Sequence, residues 1–538
     1  MTGPERLLAP LRAALRNDDV RRVELAWGAA IAAEWAHFVA LGVYAYDAGG
    51  ATAVGLAGLV RLLPAAIVAP FAASLGDRFR RERFLLVMAL LGAVALAGSA
   101  AAALAGSAAL VFALAAVVGL SATLIRPALQ ALLPSLARTP EELIAANGAT
   151  STIESLGTLA GPIVAGLLVS LADVGVVFGC GSLTLLVGAA LLARVRVEGR
   201  VELVSGHSAT RMLVAGFKAI ARAPRTRLLI GLVVAQTFVR GCLNVLIVVA
   251  AFQVLDGGGA EVGYLTAAIG LGGLAGALGA MALEERRLAG VFGLALVFWG
   301  APLVLIAPQP SFGAAVLLLA VVGAANSVED VAVFTLIQRL VPDDVLTRVL
   351  GVLWGLAMGA VALGSIAAPG LVKLLGARAA FVVVGAILPL LAILTYRRLV
   401  EIDRAVAPAA ELELVKGVPM FAPLSIAAKE RVASSLTPTA VAAGETIIRA
   451  GDFGDRFYIV GTGALDVEAP DRRVTAGPGD YFGEIALLRE IPRTATVTAT
   501  TDSVVYALER DDFLAVITGH SAAEAAGHEV VDARMAPA

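Results

Sequence analysis

Two side chains, Glu484 and Arg493, carry the most specific chemistry in the sequence. They stand within residues 482–497, FGEIALLREIPRTATV. Arg493 offers a forked, charge-assisted contact to a phosphate, and the Gly483-Glu484-Ile485-Ala486 run that opens a helix offers free backbone N–H groups to the same anion. Gly483 lets the backbone approach closely. Glu484 is an acceptor when ionised and would be repelled by a phosphate, so a hydroxyl-bearing group must lie between the two. A ribose phosphate supplies that hydroxyl.

Such a pocket needs a frame of strands and turns. Residues 441–509 alternate in polarity between glycine turns and fit a jelly-roll-like β-roll, while 411–417, 425–436, 511–518 and 521–534 read as flanking helices, with Ser425 as an N-cap. Upstream lie Gly444-Glu445, Gly451-Asp452, Asp455-Arg456-Phe457-Tyr458-Ile459-Val460, Gly463 and Gly479-Asp480-Tyr481. With them, the ordered set resembles the phosphate-binding cassette of cyclic nucleotide-binding domains of the catabolite activator protein type, over residues 411–535.

The resemblance implies that Glu484 holds the ribose 2′-hydroxyl and Arg493 the cyclic phosphate, with amides near Gly483, Ile485, Ala486 and Ala495 completing the site. It also implies a final helix acting as a lid, with His528, Val531 and Arg534 within reach of the purine. Thr494 stands where cGMP-responsive relatives use a hydroxyl against guanine, yet many cAMP-binding bacterial relatives share the rest of the pattern. The implied regulatory ligand is cAMP or cGMP, cAMP being favoured, and no further cofactor or metal is expected.

The rest of the chain belongs to a different solvent. Of 538 residues, 59% are hydrophobic and 16% charged, and the mean hydropathy is +0.86, too apolar for a water-soluble protein and too long for one span. A formal charge of −2 gives no basic field for nucleic acid. Cys180 and Cys242 lie in apolar runs and read as small buried residues rather than a disulfide or metal pair. The Arg-rich segment 1–22 precedes a long apolar run, which reads as a first span rather than a signal peptide.

Twelve apolar runs follow, six in 23–194 and six in 226–398, separated by a charged segment at 195–225 with an amphipathic piece around 212–220. A linker at 399–410 leads to the module at 411–538. The fold class expected is an all-α polytopic membrane domain of twelve helices in two halves, followed by an α+β domain with a β-roll. Arginines concentrate in the even-numbered connections, so both termini and the nucleotide module are placed in the cytoplasm.

Two halves of six helices resemble the major facilitator superfamily over residues 20–398. The stretch 75–81, LGDRFRR, is similar to that family's cytoplasmic loop, which implies that Asp77, Arg78 and Arg81 latch the halves together; Ala73 and Arg80 depart from its glycines. The stretch 157–166, GTLAGPIVAG, resembles its antiporter signature, with Gly161 and Pro162 as a hinge, and equally fits plain small-residue helix packing. Residues 126–147 resemble the siderophore and drug exporter branch.

Charges inside a bilayer cost at least about 2.5 kcal/mol each, so each asks for a partner or a task. By depth along their helices Glu34 and Arg61 can pair, Glu154 and Arg240 fall at a common level, and all four cluster near the midplane. His37, three residues from Glu34, can exchange a proton with it. Glu34 and Glu154 serve either as a protonatable coupling site or as fixed ion pairs that set helix register, His37 as a proton relay or a packing histidine, and Arg61 and Arg240 as gating or packing cations or as an attraction for an anionic cargo. Glu329, Asp330 and Arg348 read as an inner gate latch.

The function expected is secondary transport, with proton-coupled export of small amphipathic compounds under cyclic nucleotide control. Lipid or lysolipid movement and a non-transporting receptor are the alternatives. No catalytic constellation, phosphate-loop motif or potassium filter sequence appears, so neither enzyme, pump nor channel is expected. The oligomeric state stays open.

Overall fold

The computed structural model describes residues 17–68, 80–136, 140–195, 209–280, 288–308, 311–341, 343–404, 409–424, 426–470, 472–518 and 521–535. The chain divides into two compact units, Met1–Phe334 with Asp344–Leu399, and Thr335–Asp343 with Val400–Ala538.

Long apolar runs with no ladder partner must satisfy their backbone internally, and they do so as helices. In the first unit these are α1 (Asp18–Val68), α2 (Arg81–Leu104), α3 (Ala108–Leu136), α4 (Pro140–Leu171) and α5 (Val174–Leu192), then the amphipathic α6 (Ala209–Arg222). The second set is α7 (Pro224–Val249), which continues as a π-helical turn Ala250–Val254, α8 (Gly259–Ala280), α9 (Leu288–Ile306), α10 (Phe312–Leu340), α11 (Asp343–Leu375) and α12 (Ala377–Arg404). Among the described residues, eleven helices are long and apolar enough to cross a membrane. The first is really two, because α1 breaks at Gly49 and Gly50, the latter at φ +62°. Its arms, 18–48 and 51–68, account for the first two of twelve runs. Helix α12 extends to Arg404, so the segment expected to begin the linker at 399 is helical.

Glycines show how the helices pack, since each marks a point where a Cβ would collide with a neighbour. Gly157 and Gly161 lie against Ile31 and Trp35, joining α4 to the first arm; Gly119 lies against the Arg61 carbonyl, joining α3 to the second arm; Gly92 and Gly181 join α2 and α5. The second set repeats this scheme. Gly241 and Gly364 join α7 and α11, Gly272 and Gly323 join α8 and α10, and Gly300 and Gly385 join α9 and α12.

The halves therefore share one pairing plan, and residue shifts relate them. A shift of 206 positions carries Gly42 to Val248, which touch, and Tyr46 to Phe252, whose rings stack at 4.4 Å between centroids. A shift of 203 carries Gly161 to Gly364, and one of 204 carries Gly119 to Gly323, each keeping its equivalent neighbour. Such contacts between equivalent residues lie on a pseudo-twofold axis.

Between the halves, Gly55 abuts Ser365 and Pro369 of α11, while Gly263 of α8 abuts Pro162 and Gly166 of α4. These are again equivalent contacts. Together with the Tyr46–Phe252 stack they lie toward the end of the bundle remote from Asp18. Helix α4 runs unbroken through Pro162.

The second unit contains α13 (Ala409–Gly417), a 3₁₀ turn (Pro419–Phe421) and α14 (Ile426–Ser435), then eight strands. These are β1 (Thr437–Val441), β2 (Thr446–Ile448), β3 (Arg456–Thr462), β4 (Leu465–Ala469), β5 (Arg472–Ala476), β6 (Tyr481–Phe482), β7 (Thr496–Ala499) and β8 (Ser503–Glu509). They form two four-stranded antiparallel sheets of order β1-β8-β3-β6 and β2-β7-β4-β5. Strand β3 places Tyr458 and Val460 in one apolar core with Phe482, Val497 and Val505, and Phe457 and Ile459 in a second with Phe421 and Phe513, as the period of two along a strand requires. Between β6 and β7 sits α15 (Glu484–Arg489); α16 (Arg510–Thr518) and α17 (Ser521–Met535) close the chain.

Candidate functional site

The two side chains singled out by their chemistry flank the turn from β6 into α15. Gly483 turns from β6 into α15 at φ +93°, a conformation that L side chains rarely adopt. A Cβ there would sit 2.7 Å from Arg493 Nη1, so the turn and the guanidinium fit only because the residue is glycine. Gly454 leaves the same clearance opposite, where a Cβ would meet the guanidinium carbon at 3.2 Å.

Arg493 is thereby fixed and 6% exposed. Nη1 donates to the Gly483 carbonyl at 3.0 Å, Nη2 donates to the Arg456 carbonyl at 2.8 Å, and the Asp455 carboxylate lies 3.6 Å away. Burial draws the guanidinium below its ordinary pKa, opposed by Tyr458, Asp455, Glu484 and Asp452.

Glu484 is 1% exposed. Its Oε1 accepts from Arg534 Nη1 at 2.7 Å, while Oε2 has no hydrogen-bond partner among the described residues. A buried carboxylate oxygen with no donor is costly, and a ribose hydroxyl is a donor of the right size. Ala486 is buried on α15, and Ile485, Thr494 and Ala495 surround the turn, Thr494 with its side chain exposed.

Arg534, expected within reach of a purine, is bonded to Glu484 instead. It also donates to the Tyr481 carbonyl at 3.0 Å and lies 4.3 Å over the Tyr481 ring. Arg489 of α15 pairs with Asp532, so α17 is held on the pocket's own helix at two points.

The charges within the membrane unit divide into two clusters. In the first half Arg61 bonds Glu34 at 3.3 Å, and Arg126 bonds Glu154 while also interacting electrostatically with Glu34. Phe38 lies 5.6 Å below Arg61, and Trp27 5.6 Å below Arg126. In the second half Asn326 accepts from Gln236 and Trp299, each at 3.2 Å, and donates to Asp330 at 3.0 Å. Arg240 faces Asp330 and Glu329 electrostatically.

Several expectations are corrected by this arrangement. Glu154 does not meet Arg240; Arg126 takes it, because equal depth fixes height along a helix but not the direction a residue faces. His37 does not bond Glu34: it is 1% exposed beside Phe178, with neither ring nitrogen partnered among the described residues. Glu329 and Asp330 face Arg240 rather than Arg348, which is exposed on α11 where that helix meets Gly216 of α6. Cys180 is exposed on α5 and only Cys242 is buried. Gly161 packs on Trp35 within a continuous helix. Arg81 opens α2, whereas Asp77 and Arg78 lie outside the described residues.

Comparison with known proteins decides the family. Residues 25–356, and again 233–448, match the Major Facilitator Superfamily. The chain belongs to the major facilitator superfamily. Residues 438–520 of this transporter match the cyclic nucleotide-binding domain, so a transporter unit and a nucleotide-binding unit share one chain.

The nucleotide-binding part is similar to a cAMP-dependent protein kinase regulatory subunit of Eremothecium gossypii, 44% identical over 19% of this chain and 22% of that protein. It is also similar to a cyclic nucleotide-gated potassium channel of Rhizobium etli, 40% identical over 19% of this chain and 28% of the channel. The transporter thus spans less than a third of the curated relatives it matches. Among solved structures, Thermus thermophilus catabolite activator protein is similar at 27% identity, covering 22% of this chain and 58% of that one, with a TM-score of 0.20.

Three partners in this superfamily member, Arg126, Gln236 and Asn326, carry little signal in the sequence. Arg126 ends an apolar run and looked like a span terminus, but α3 continues to Leu136. Gln236 and Asn326 are uncharged, and their signal was polarity inside otherwise apolar helices.

Proposed function

We propose that this chain is a proton-coupled exporter of small amphipathic compounds whose activity is set by cytoplasmic cyclic nucleotide, with cAMP the preferred ligand. The observation that carries the regulatory half is Glu484 Oε2, buried and lacking a donor among the described residues, beside a guanidinium locked in place at Arg493. A ribose hydroxyl satisfies the first and a cyclic phosphate the second. The preference for cAMP is supported by the 44% identity to a cAMP-dependent kinase regulatory subunit.

For transport, the support is the placement of charges. Arg126, Glu154, Arg240 and Asp330 all have solvent-accessible side chains in helices whose halves meet toward the end remote from Asp18. Halves that touch at the end remote from Asp18, the side opposite the cytoplasm by the arginine distribution, fit a state that takes up cargo from the cytoplasm. The gating roles of Asp77, Arg78, Arg81, Arg348, Gly161 and Pro162 belong to this proposal. Nucleotide shifts the inward-facing and outward-facing populations only by its differential affinity for them; a tenfold preference supplies about 1.4 kcal/mol.

Calorimetric titration of cAMP and cGMP into the full-length protein and its Arg493→Ala variant tests the ligand. Binding to the wild type, stronger for cAMP and weakened about tenfold or more in the variant, is expected. Equal heats in both proteins would end the assignment.

A further inference from the structure

The pseudo-twofold axis exposes an inversion of charge between the halves. The shift of 206 that carries Tyr46 to its stacking partner Phe252 carries Glu34 to Arg240. The shift of 204 that carries Gly119 to Gly323 carries Arg126 to Asp330. An acid facing a base in one half thus becomes a base facing an acid in the other.

The two clusters differ in balance. In the first, Glu34 has Arg61 and Glu154 has Arg126, one guanidinium for each carboxylate. In the second, Glu329 and Asp330 share Arg240. No other charged residue occurs in 228–255, 262–283, 288–328, 331–338, 349–372 or 379–396, the stretches that build the interior of α7 through α12. Glu329 is 1% exposed, and neither of its carboxylate oxygens has a hydrogen-bond partner among the described residues. Asp330, by contrast, is exposed and held by Asn326.

Two adjacent carboxylates facing one cation in an apolar bundle carry one negative charge too many, and a shared proton removes it. We propose that the Glu329–Asp330 pair holds the proton exchanged in transport, and that the cargo is an organic monocation that takes that proton's place beside the pair. The inference rests on the proton-coupled export reading and moves its coupling site from Glu34, His37 and Glu154 to α10. In the exchange the O–H bond of the carboxylic acid breaks, its proton leaves to water, and the cation pairs with the carboxylate that remains. Glu24, also buried, is held by the Thr150 hydroxyl at 2.6 Å near the start of α1, ten residues before Glu34, and serves as the comparison.

The test is proton release on binding. Detergent-purified full-length protein in weak buffer with a pH indicator receives tetraphenylphosphonium, and bound cation and released proton are measured together. The wild type and Glu24→Gln should release one proton for each cation bound. Glu329→Gln and Asp330→Asn should bring the ratio down to about a tenth, since each leaves one carboxylate for one guanidinium. Glu329→Asp should restore it, and with Asp330→Asn it decides the matter should Glu329→Gln fail to fold. Release that persists in Glu329→Gln or Asp330→Asn, or depends on Glu24, overturns the site. Failure of the wild type to bind tetraphenylphosphonium overturns the cargo class. The export reading is judged separately: a wild type that moves neither cationic nor neutral amphipaths in proteoliposomes under a pH gradient would fail it, whatever the release ratio.

Discussion

Replacing Arg493 by alanine removes one fixed guanidinium from the nucleotide pocket, and the structure sets the size of the effect. Two of its five N–H groups are used by the Gly483 and Arg456 carbonyls, which leaves the rest of the fork for a phosphate. A hydrogen bond to a charged group contributes about 1.5 to 3 kcal/mol, so losing one weakens cAMP binding by about 10- to 150-fold. The same substitution orphans two carbonyls that the guanidinium satisfies, at about 1 to 3 kcal/mol each where buried, so the domain also melts at lower temperature. Calorimetry at a temperature where both proteins remain folded separates the two effects. Arg493→Lys, a point charge without the fork, should fall between wild type and alanine. An alanine variant that binds cAMP within about threefold of wild type would show that Arg493 does not hold the phosphate, because less than about 0.7 kcal/mol would then rest on the guanidinium.

Four further outcomes follow from other contacts. Gly483→Ala should weaken nucleotide binding and lower the melting temperature, because a Cβ at φ +93° comes 2.7 Å from Arg493 Nη1; calorimetry and thermal scanning check both, and unchanged values would contradict the packing. Wild type should prefer cAMP over 2′-deoxy-cAMP by about tenfold or more, and Glu484→Gln should shrink that ratio toward one. Arg534→Ala removes a pair whose arginine is 33% exposed, so its effect is discounted to about 1 kcal/mol and should appear as faster hydrogen exchange within 521–535, with exchange elsewhere unaltered. Gly263→Val, whose Cβ would lie 2.4 Å from the Pro162 carbonyl, should weaken the contact between halves and increase maleimide labelling of a cysteine placed at Ala48; equal labelling would show that this contact does not hold the halves.

The meeting of Gly483, Glu484 and Arg493 was legible because it is local. Gly483, Glu484 and Arg493 fall within eleven residues, and a turn followed by a short helix is enough to bring them together. The helical spans were legible from apolar length, and the one surprise, the joining of two spans in α1, came from Gly49 and Gly50 bending a helix instead of ending it. The intramembrane partners were not legible. Depth along an axis follows from 1.5 Å per residue, but pairing depends on which way a side chain faces across the bundle, and that is set by packing between helices far apart in sequence. Thus Glu34 met Arg61 as depth suggested, while Glu154 met Arg126 and left Arg240 to Glu329 and Asp330. The repeat relating the halves was hidden for a similar reason. Apart from glycine pairs such as Gly119 and Gly323, its equivalent positions share small size or opposite charge rather than identity, and the Gly42–Val248 and Tyr46–Phe252 contacts are what fix the shift.

Nucleotide bound to the C-terminal domain should shift the balance between the two halves of the transporter. Spin labels on cysteines at Ala48 and Gln253, both exposed at the end where the halves meet, report that balance without knowledge of the cargo once Cys180 and Cys242 are replaced. In double electron–electron resonance on the full-length protein in lipid nanodiscs, saturating cAMP should shift the populations of short and long distances. A tenfold state preference would turn an even mixture into about ten to one. The shift should disappear in Arg493→Ala. Identical distance distributions with and without cAMP, in a wild type shown to bind it, would contradict the claim.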